Sequence, residues 1–193
     1  MKSNLPRTKR IAYLSILVAL AITLRLLKTA LFGPVQFINF PGVFTVLGGI
    51  LFGPMAGFVI GFGSFLFSDI IIGLPGLWTA TTSLSMGVIG IISGLIWMRR
   101  DKEKISKAAL GVSTYILILF YDIFTSVILL VVMMRLDWIS ALTIGILGLF
   151  LPVPASGGFM IGVGPITEFT TTMFVVLIFM VLIKNHNIIW PKK

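Results

Sequence analysis

Three carboxylates lie in stretches that are otherwise apolar: Asp69, Asp122 and Glu168. A carboxylate at the centre of a bilayer costs at least about 2.5 kcal/mol, so each needs a counter-charge, a proton or a water-filled cavity. Arg25 and Lys28 are three positions apart and share a helical face. They are read either as cations that run their stems along apolar surface to the interface, or as a site for an anionic or polar ligand. The acids and these cations also form a set that can pair internally, with Arg135 as a third candidate partner. Tyr121, Asp122 and Thr125 make a polar turn, and Thr170, Thr171 and Thr172 make another. At such depth a polar face is either interhelical hydrogen bonding or a pocket wall. Gln36, Asn39, Trp78 and Thr79, followed by Thr81, Thr82 and Ser83, add amide, indole and hydroxyl groups. The chemistry these residue types support is binding of a small polar molecule, or proton movement.

Catalysis is not supported. His186, the sole histidine, stands in a basic tail, so neither a His-Glu-x-x-His zinc site nor a Ser-His pair can be assembled. No metal-binding residue set and no catalytic residue is predicted. No Gly-x-x-x-x-Gly-Lys-[Ser/Thr] loop is present, so ATP is not bound by that route. Without cysteine there is no disulfide or thiol chemistry.

The elements that must position these residues follow from composition. Of 193 residues, 58% are hydrophobic and 11% charged, far from the balance of a soluble domain. The mean hydropathy is +1.11. Apolar residues come in long runs rather than in alternation, which predicts an all-α membrane protein, a bundle of six transmembrane helices in a single domain. The spans are expected at 11–31, 43–52, 55–72, 80–98, 108–134 and 166–183. The first is too long for a signal-peptide core and is read as retained. The second and third form a tight hairpin turning at Gly53-Pro54. Gly73 to Thr79 is expected as an outer loop carrying Trp78. The segment 138–151 is short for a crossing and is read as interfacial or re-entrant.

Charge sets the orientation. Six spans with a cytoplasmic N-terminus place every Lys and Arg except Arg25, Lys28 and Arg135 on the cytoplasmic side. This positive-inside bias puts both termini in the cytoplasm and explains a net charge of +9 without nucleic acid. The four tryptophans fall near span ends, as in an aromatic belt. Ala12, Ser15 and Ala19 form a small-residue stripe on the first span, where another helix of this chain or of a partner can approach closely. Glycines at 48, 49, 57, 61 and 63 predict close packing within the hairpin.

The sequence resembles the substrate-binding S component of energy-coupling factor (ECF) vitamin transporters. The resemblance rests on the hairpin Leu47 to Gly57 with its Gly-Pro turn, on Pro75-Gly-Leu-Trp-Thr79, on the polar turn Phe120 to Thr125, and on the length, span count and basic middle loop. The stripe Ala12/Ser15/Ala19 is similar to the motif through which helix 1 of such proteins docks on a scaffold subunit, with Ser15-x-x-x-Ala19 in place of Ala-x-x-x-Ala.

The resemblance implies a multi-pass protein of the cell membrane that binds a vitamin or related micronutrient at its outer face. It would then join a scaffold subunit and two cytoplasmic ATPases, which consume the ATP, and topple in the membrane to release its substrate. The implied binding residues are Gln36, Asn39, Trp78, Thr79, Tyr121, Asp122, Thr125, Glu168 and Thr171, with Arg25, Lys28 and Asp69 second in rank. An aromatic such as Trp78 stacks on a flat ring, while amides and carboxylates hold its polar edge. The acids suit a cationic or hydrogen-bond-donating ligand and the cations an anionic one; riboflavin, a thiamin precursor and a corrinoid all fit. A stand-alone proton- or cation-coupled transporter using Asp122, and a structural cell-envelope protein, are the alternative readings.

Overall fold

Lipid offers no hydrogen-bond partners, so apolar runs of this kind close their backbone bonds within helices. The computed structural model describes residues 6–33, 37–73, 75–150, 153–155, 158–160 and 164–184. Among them the chain forms seven α-helices: α1 (Arg7–Phe32), α2 (Phe40–Phe52), α3 (Pro54–Ile72), α4 (Leu77–Trp97), α5 (Lys107–Met134), α6 (Trp138–Phe150) and α7 (Gly164–Lys184). A single 3-10 turn, Lys102–Lys104, sits in the basic loop. Two short antiparallel strands, β1 (Val153–Ala155) and β2 (Gly158–Met160), pair with Val153 opposite Met160.

Five helices (α1, α3, α4, α5 and α7) are long and apolar enough to cross a membrane. Helices α2 and α6 have 13 residues each, about 20 Å, against a hydrocarbon thickness of about 30 Å. The sixth expected span, 43–52, is therefore a short helix. It begins at Phe40 because the Asn39 side chain accepts the Gly42 N–H and Pro41 occupies the first turn. Its shortness is tolerable because protein surrounds it: every residue from Pro41 to Phe52 is buried. The segment expected to be interfacial or re-entrant is α6.

The outer loop expected at Gly73 to Thr79 is shorter than its composition implies. Gly73, left-handed at φ 87°, ends α3 by donating its N–H to the Asp69 and Ile70 carbonyls. α4 then starts at Leu77 behind Gly76. Trp78 and Thr79 thus belong to the first turn of a helix and not to a loop. No Ser, Thr, Asp or Asn cap marks that start, which is why the sequence hides it.

The glycines let α2, α3 and α4 meet backbone to backbone. A Cβ on Gly57 would fall on the backbone of Gly90, and one on Gly90 would fall on Gly57. A Cβ on Gly49 would lie 2.6 Å from the Gly90 carbonyl oxygen, and one on Gly61 2.6 Å from that of Met86. Gly48 is filled by the Ile60 side chain, whereas at Gly63 the nearest neighbours are 3.9 Å away, leaving ordinary room. Close approach of this kind drives helix association where lipid removes the hydrophobic incentive. Around it Val43, Val46, Leu47 and Ile50 of α2 pack with Met86, Ile89, Ile118 and Val175.

α1 lies on the periphery. Only Ala21 and Lys28 of it are buried, and Ala12, Ser15 and Ala19 are exposed. The Arg10 guanidinium donates to the Phe52 carbonyl at the α2–α3 turn, 2.9 Å. Gly94, near the end of α4, abuts Pro54 at the same turn, and Gly111 of α5 packs on Thr172 and Val176 of α7. These contacts gather Arg7, Lys9, Arg10, the basic loop after α4 and Lys184 at one end of the bundle. Arg25, Lys28 and Arg135 lie toward the other end.

Gly57→Ala should lower thermal stability in detergent by about 1–3 kcal/mol, the usual cost of overpacking. Gly63→Ala should leave the melting temperature unchanged or raise it. Equal effects at both positions would show that the α3–α4 contact is looser than described.

Candidate functional site

Polar side chains within the bundle fall into a set that satisfies itself and a set that does not. Arg25 on α1 forms an ion pair with Asp69 on α3, 2.6 Å, donates to Ser68, and lies over the Phe65 ring at 4.4 Å. Thr82 of α4 donates to the other Asp69 oxygen at 3.4 Å. Asp69 is fully buried, so this pairing neutralises a charge that lipid would not tolerate. Of the readings open for Arg25 and Asp69, pairing with each other is the one found. Lys28, also buried, lies one turn along α1 from Arg25. Tyr121 is buried against Phe65, ring centroids 5.7 Å apart, and so stands behind the ion pair rather than on an open surface.

Asn39 and Thr171 are tied to each other. The Asn39 backbone N–H donates to Thr171 Oγ1, 3.0 Å, while its side-chain oxygen caps α2. Thr170 Oγ1 donates to the Phe37 carbonyl. These bonds dock the start of α2 on α7. Asn39 Nδ2 stays buried without an acceptor.

Among the described residues, the buried groups without a hydrogen-bond partner include Thr45, Trp97, Thr114, Thr172 and both oxygens of Glu168. Asp122 of α5 lies near Glu168 of α7. Glu168 is fully buried, and neither of its oxygens receives a bond from an N–H or hydroxyl donor among the described residues. A carboxylate offers about four acceptor sites. Glu168 therefore holds acceptor capacity that a ligand rich in hydroxyl or N–H groups could use.

A cavity of about 490 Å³ lies on the outer half of α5, between it and α6. Its walls are Thr125, Ser126, Leu129, Leu130, Met133 and Met134 from α5, Ile144, Gly145, Gly148 and Leu149 from α6, and Trp78 from α4. Its volume falls in the range of about 300–1,000 Å³ common for small-molecule sites, and so does its make-up, mostly apolar with a few polar groups. Thr125 Oγ1 donates to the Tyr121 carbonyl, 2.8 Å, which leaves its lone pairs free to accept. Trp78 is 46% exposed and lines this cavity.

Of the sequence-predicted residues, Trp78 and Thr125 line the cavity. Asp122 lies one turn deeper on the Thr125 face of α5 and meets Glu168 there. Asn39, Thr79, Tyr121 and Thr171 are buried between helices. Gln36 lies outside the described residues. The α6 wall and the outer α5 stripe were missed from sequence. Their signal is the repeat 125/126, 129/130, 133/134 on α5, which meets the small residues Ala141, Gly145 and Gly148 on α6.

A family model described as "ECF-type riboflavin transporter, S component" matches residues 5–186 of the chain. No curated protein matches it. The matched family is the substrate-binding part of a transporter and not an enzyme, which selects among the three readings of the sequence. The helices that hold the cavity and the carboxyl pair all fall within the matched residues. The chain belongs to the family of S components of ECF-type riboflavin transporters.

Proposed function

We propose that this protein captures riboflavin at the outer face of the cell membrane and delivers it inward in complex with a scaffold subunit and two ATPase subunits. The family match over residues 5–186 carries this reading. The site chemistry agrees with it. Riboflavin has a flat three-ring system with an apolar and a polar edge, and a polyhydroxylated chain. The cavity supplies Trp78 for stacking and Met133, Met134, Leu129 and Leu149 for apolar contact. Thr125 and Ser126 supply hydroxyls, and Asp122 and Glu168 accept from hydroxyl or N–H groups one turn deeper. Asn39, Thr79, Tyr121 and Thr171 shape that depth from behind, and Gln36 completes the proposed set.

The orientation follows from charge. The basic end of the bundle, with both termini, faces the cytoplasm. α2 counts as the sixth crossing element, inside a jacket of longer helices. The chain uses no cofactor of its own, and ATP is consumed by the partners. The exposed stripe Ala12/Ser15/Ala19 on α1 is the face for the scaffold subunit.

Purified protein should quench flavin fluorescence on mixing. Riboflavin at about a hundred times its dissociation constant should stabilise the fold by about 2.7 kcal/mol. Binding of a different vitamin from a panel, with riboflavin inert, would remove riboflavin as the substrate.

Trp78→Ala and Asp122→Asn should each weaken riboflavin binding roughly tenfold or more, about 1.4 kcal/mol per decade, with the bundle still folded. Unchanged affinity in both would remove the site. Replacing Ser15 and Ala19 together by Leu should spare riboflavin binding and block co-purification with the scaffold subunit. Normal assembly of that double variant would locate the docking face elsewhere.

A further inference from the structure

The outer end of α5 carries two adjacent thioethers in the wall of the cavity. α5 has 28 residues, about 42 Å, against a hydrocarbon layer of about 30 Å, so the helix is longer than the hydrocarbon is thick. The water boundary at its outer end is marked by Arg135 and Asp137, the first and third residues after the helix, both exposed. Met133 and Met134 lie immediately before it, 59% and 65% exposed, and both line the cavity. Aqueous solutes therefore reach them. Met86, by contrast, is fully buried, and Met173 lies midway along α7. The chain has no cysteine, so its nine methionines are its only oxidisable sulfur.

The wall beside this pair is apolar. Leu129 and Leu130 lie one turn below on α5, and the hydroxyls of Thr125 and Ser126 lie about two turns below. Oxidation turns a flexible apolar thioether into a polar, chiral sulfoxide. A ligand ring laid on that wall would strip water from the new oxygen and leave it among leucines, which is costly for an acceptor without a donor. We propose that Met133 and Met134 form an oxidation-sensitive site through which a peroxide shuts the cavity to its ligand. In the step an oxygen of the peroxide bonds to sulfur and the O–O bond breaks. Hydrogen peroxide leaves as water, which keeps both its hydrogens; the sulfur is oxidised by two electrons and the peroxide is reduced by two. The inference rests on the reading of this cavity as the riboflavin site, and adds that capture responds to oxidants at the outer face.

Purified protein treated with hydrogen peroxide, until mass spectrometry finds sulfoxide at 133 and 134, should bind riboflavin at least about tenfold more weakly. Treatment with the two methionine sulfoxide reductases, one for each epimer, should restore the affinity, which separates the effect from unfolding. Unchanged affinity with both sulfoxides formed would overturn the site. So would an affinity that stays low after both thioethers are regenerated.

Two double variants assign the effect to these sulfurs. In Met133→Leu/Met134→Leu the affinity after peroxide should stay within about twofold of that variant's own affinity before it. In Met55→Leu/Met98→Leu, which removes two exposed methionines outside the cavity, the loss should match that of the unsubstituted protein. Equal losses in the two variants would overturn the site. The order of oxidation needs no ligand: sulfoxide should form at 133 and 134 before it forms at 173, and the reverse order would also overturn the proposal. Failure of the untreated protein to bind riboflavin would instead overturn the substrate assignment, and the order of oxidation would still decide whether peroxide reaches this pair first.

Discussion

The backbone contact of α3 with α4 at Gly57 and Gly90 is the constraint on which the other helices depend. In water a core forms because apolar surface leaves solvent. In lipid that incentive is absent, and the gain must come from packing and from hydrogen bonds. Side-chain-free contact surfaces on α3 and α4, extended by Gly49 of α2, bring three helices within backbone reach of one another. Because α2 is wrapped by its neighbours, it can be 13 residues long without exposing its ends to hydrocarbon. Its first turn then starts below the outer ends of the long helices, beside Thr171 of α7. Polar side chains of α7, Glu168 and Thr171 among them, lie buried in the bundle beside this short helix.

That depth sorts the polar residues by what they do. Arg25, Ser68, Asp69 and Thr82 spend their charge and hydrogen-bonding capacity on one another, joining α1, α3 and α4. Breaking such a buried pair leaves an uncompensated charge, so these residues help hold the bundle together. Glu168, near Asp122, has no ion-pair or hydrogen-bond partner among the described residues. The two groups differ in how their lone pairs are used, since residue type is the same in both.

Much of this was legible in the sequence. Long apolar runs marked the helices, Gly53-Pro54 marked the α2–α3 turn, and the glycines at 48, 49, 57 and 61 marked close packing because no other residue type allows it. The buried acids stood out because their cost in lipid demands an explanation. Other features were not legible for physical reasons. Which acid pairs with Arg25 depends on the rotation of α1 about its axis, and the weak patterning of a peripheral lipid-facing helix does not define that rotation. Trp78 and Thr79 read as loop because α4 starts behind a glycine with no capping side chain. The cavity was legible only at Trp78 and Thr125, since its other walls are mostly apolar residues of two helices whose faces are equally apolar toward lipid.

The same molecule therefore contains two kinds of helix contact. The α2–α3–α4 unit is fixed by backbone proximity, and α1 is pinned to it by the buried ion pair. α5 and α7 are tied through α2 and through their own packing. α6 packs on α5 at Gly145 and on α7 where Leu149 meets Gly164. A substrate-binding subunit needs a site that is rigid enough to recognise its ligand and open enough to fill and empty. The glycine contacts of α2, α3 and α4 meet the first need, because that core cannot shift without parting backbone from backbone.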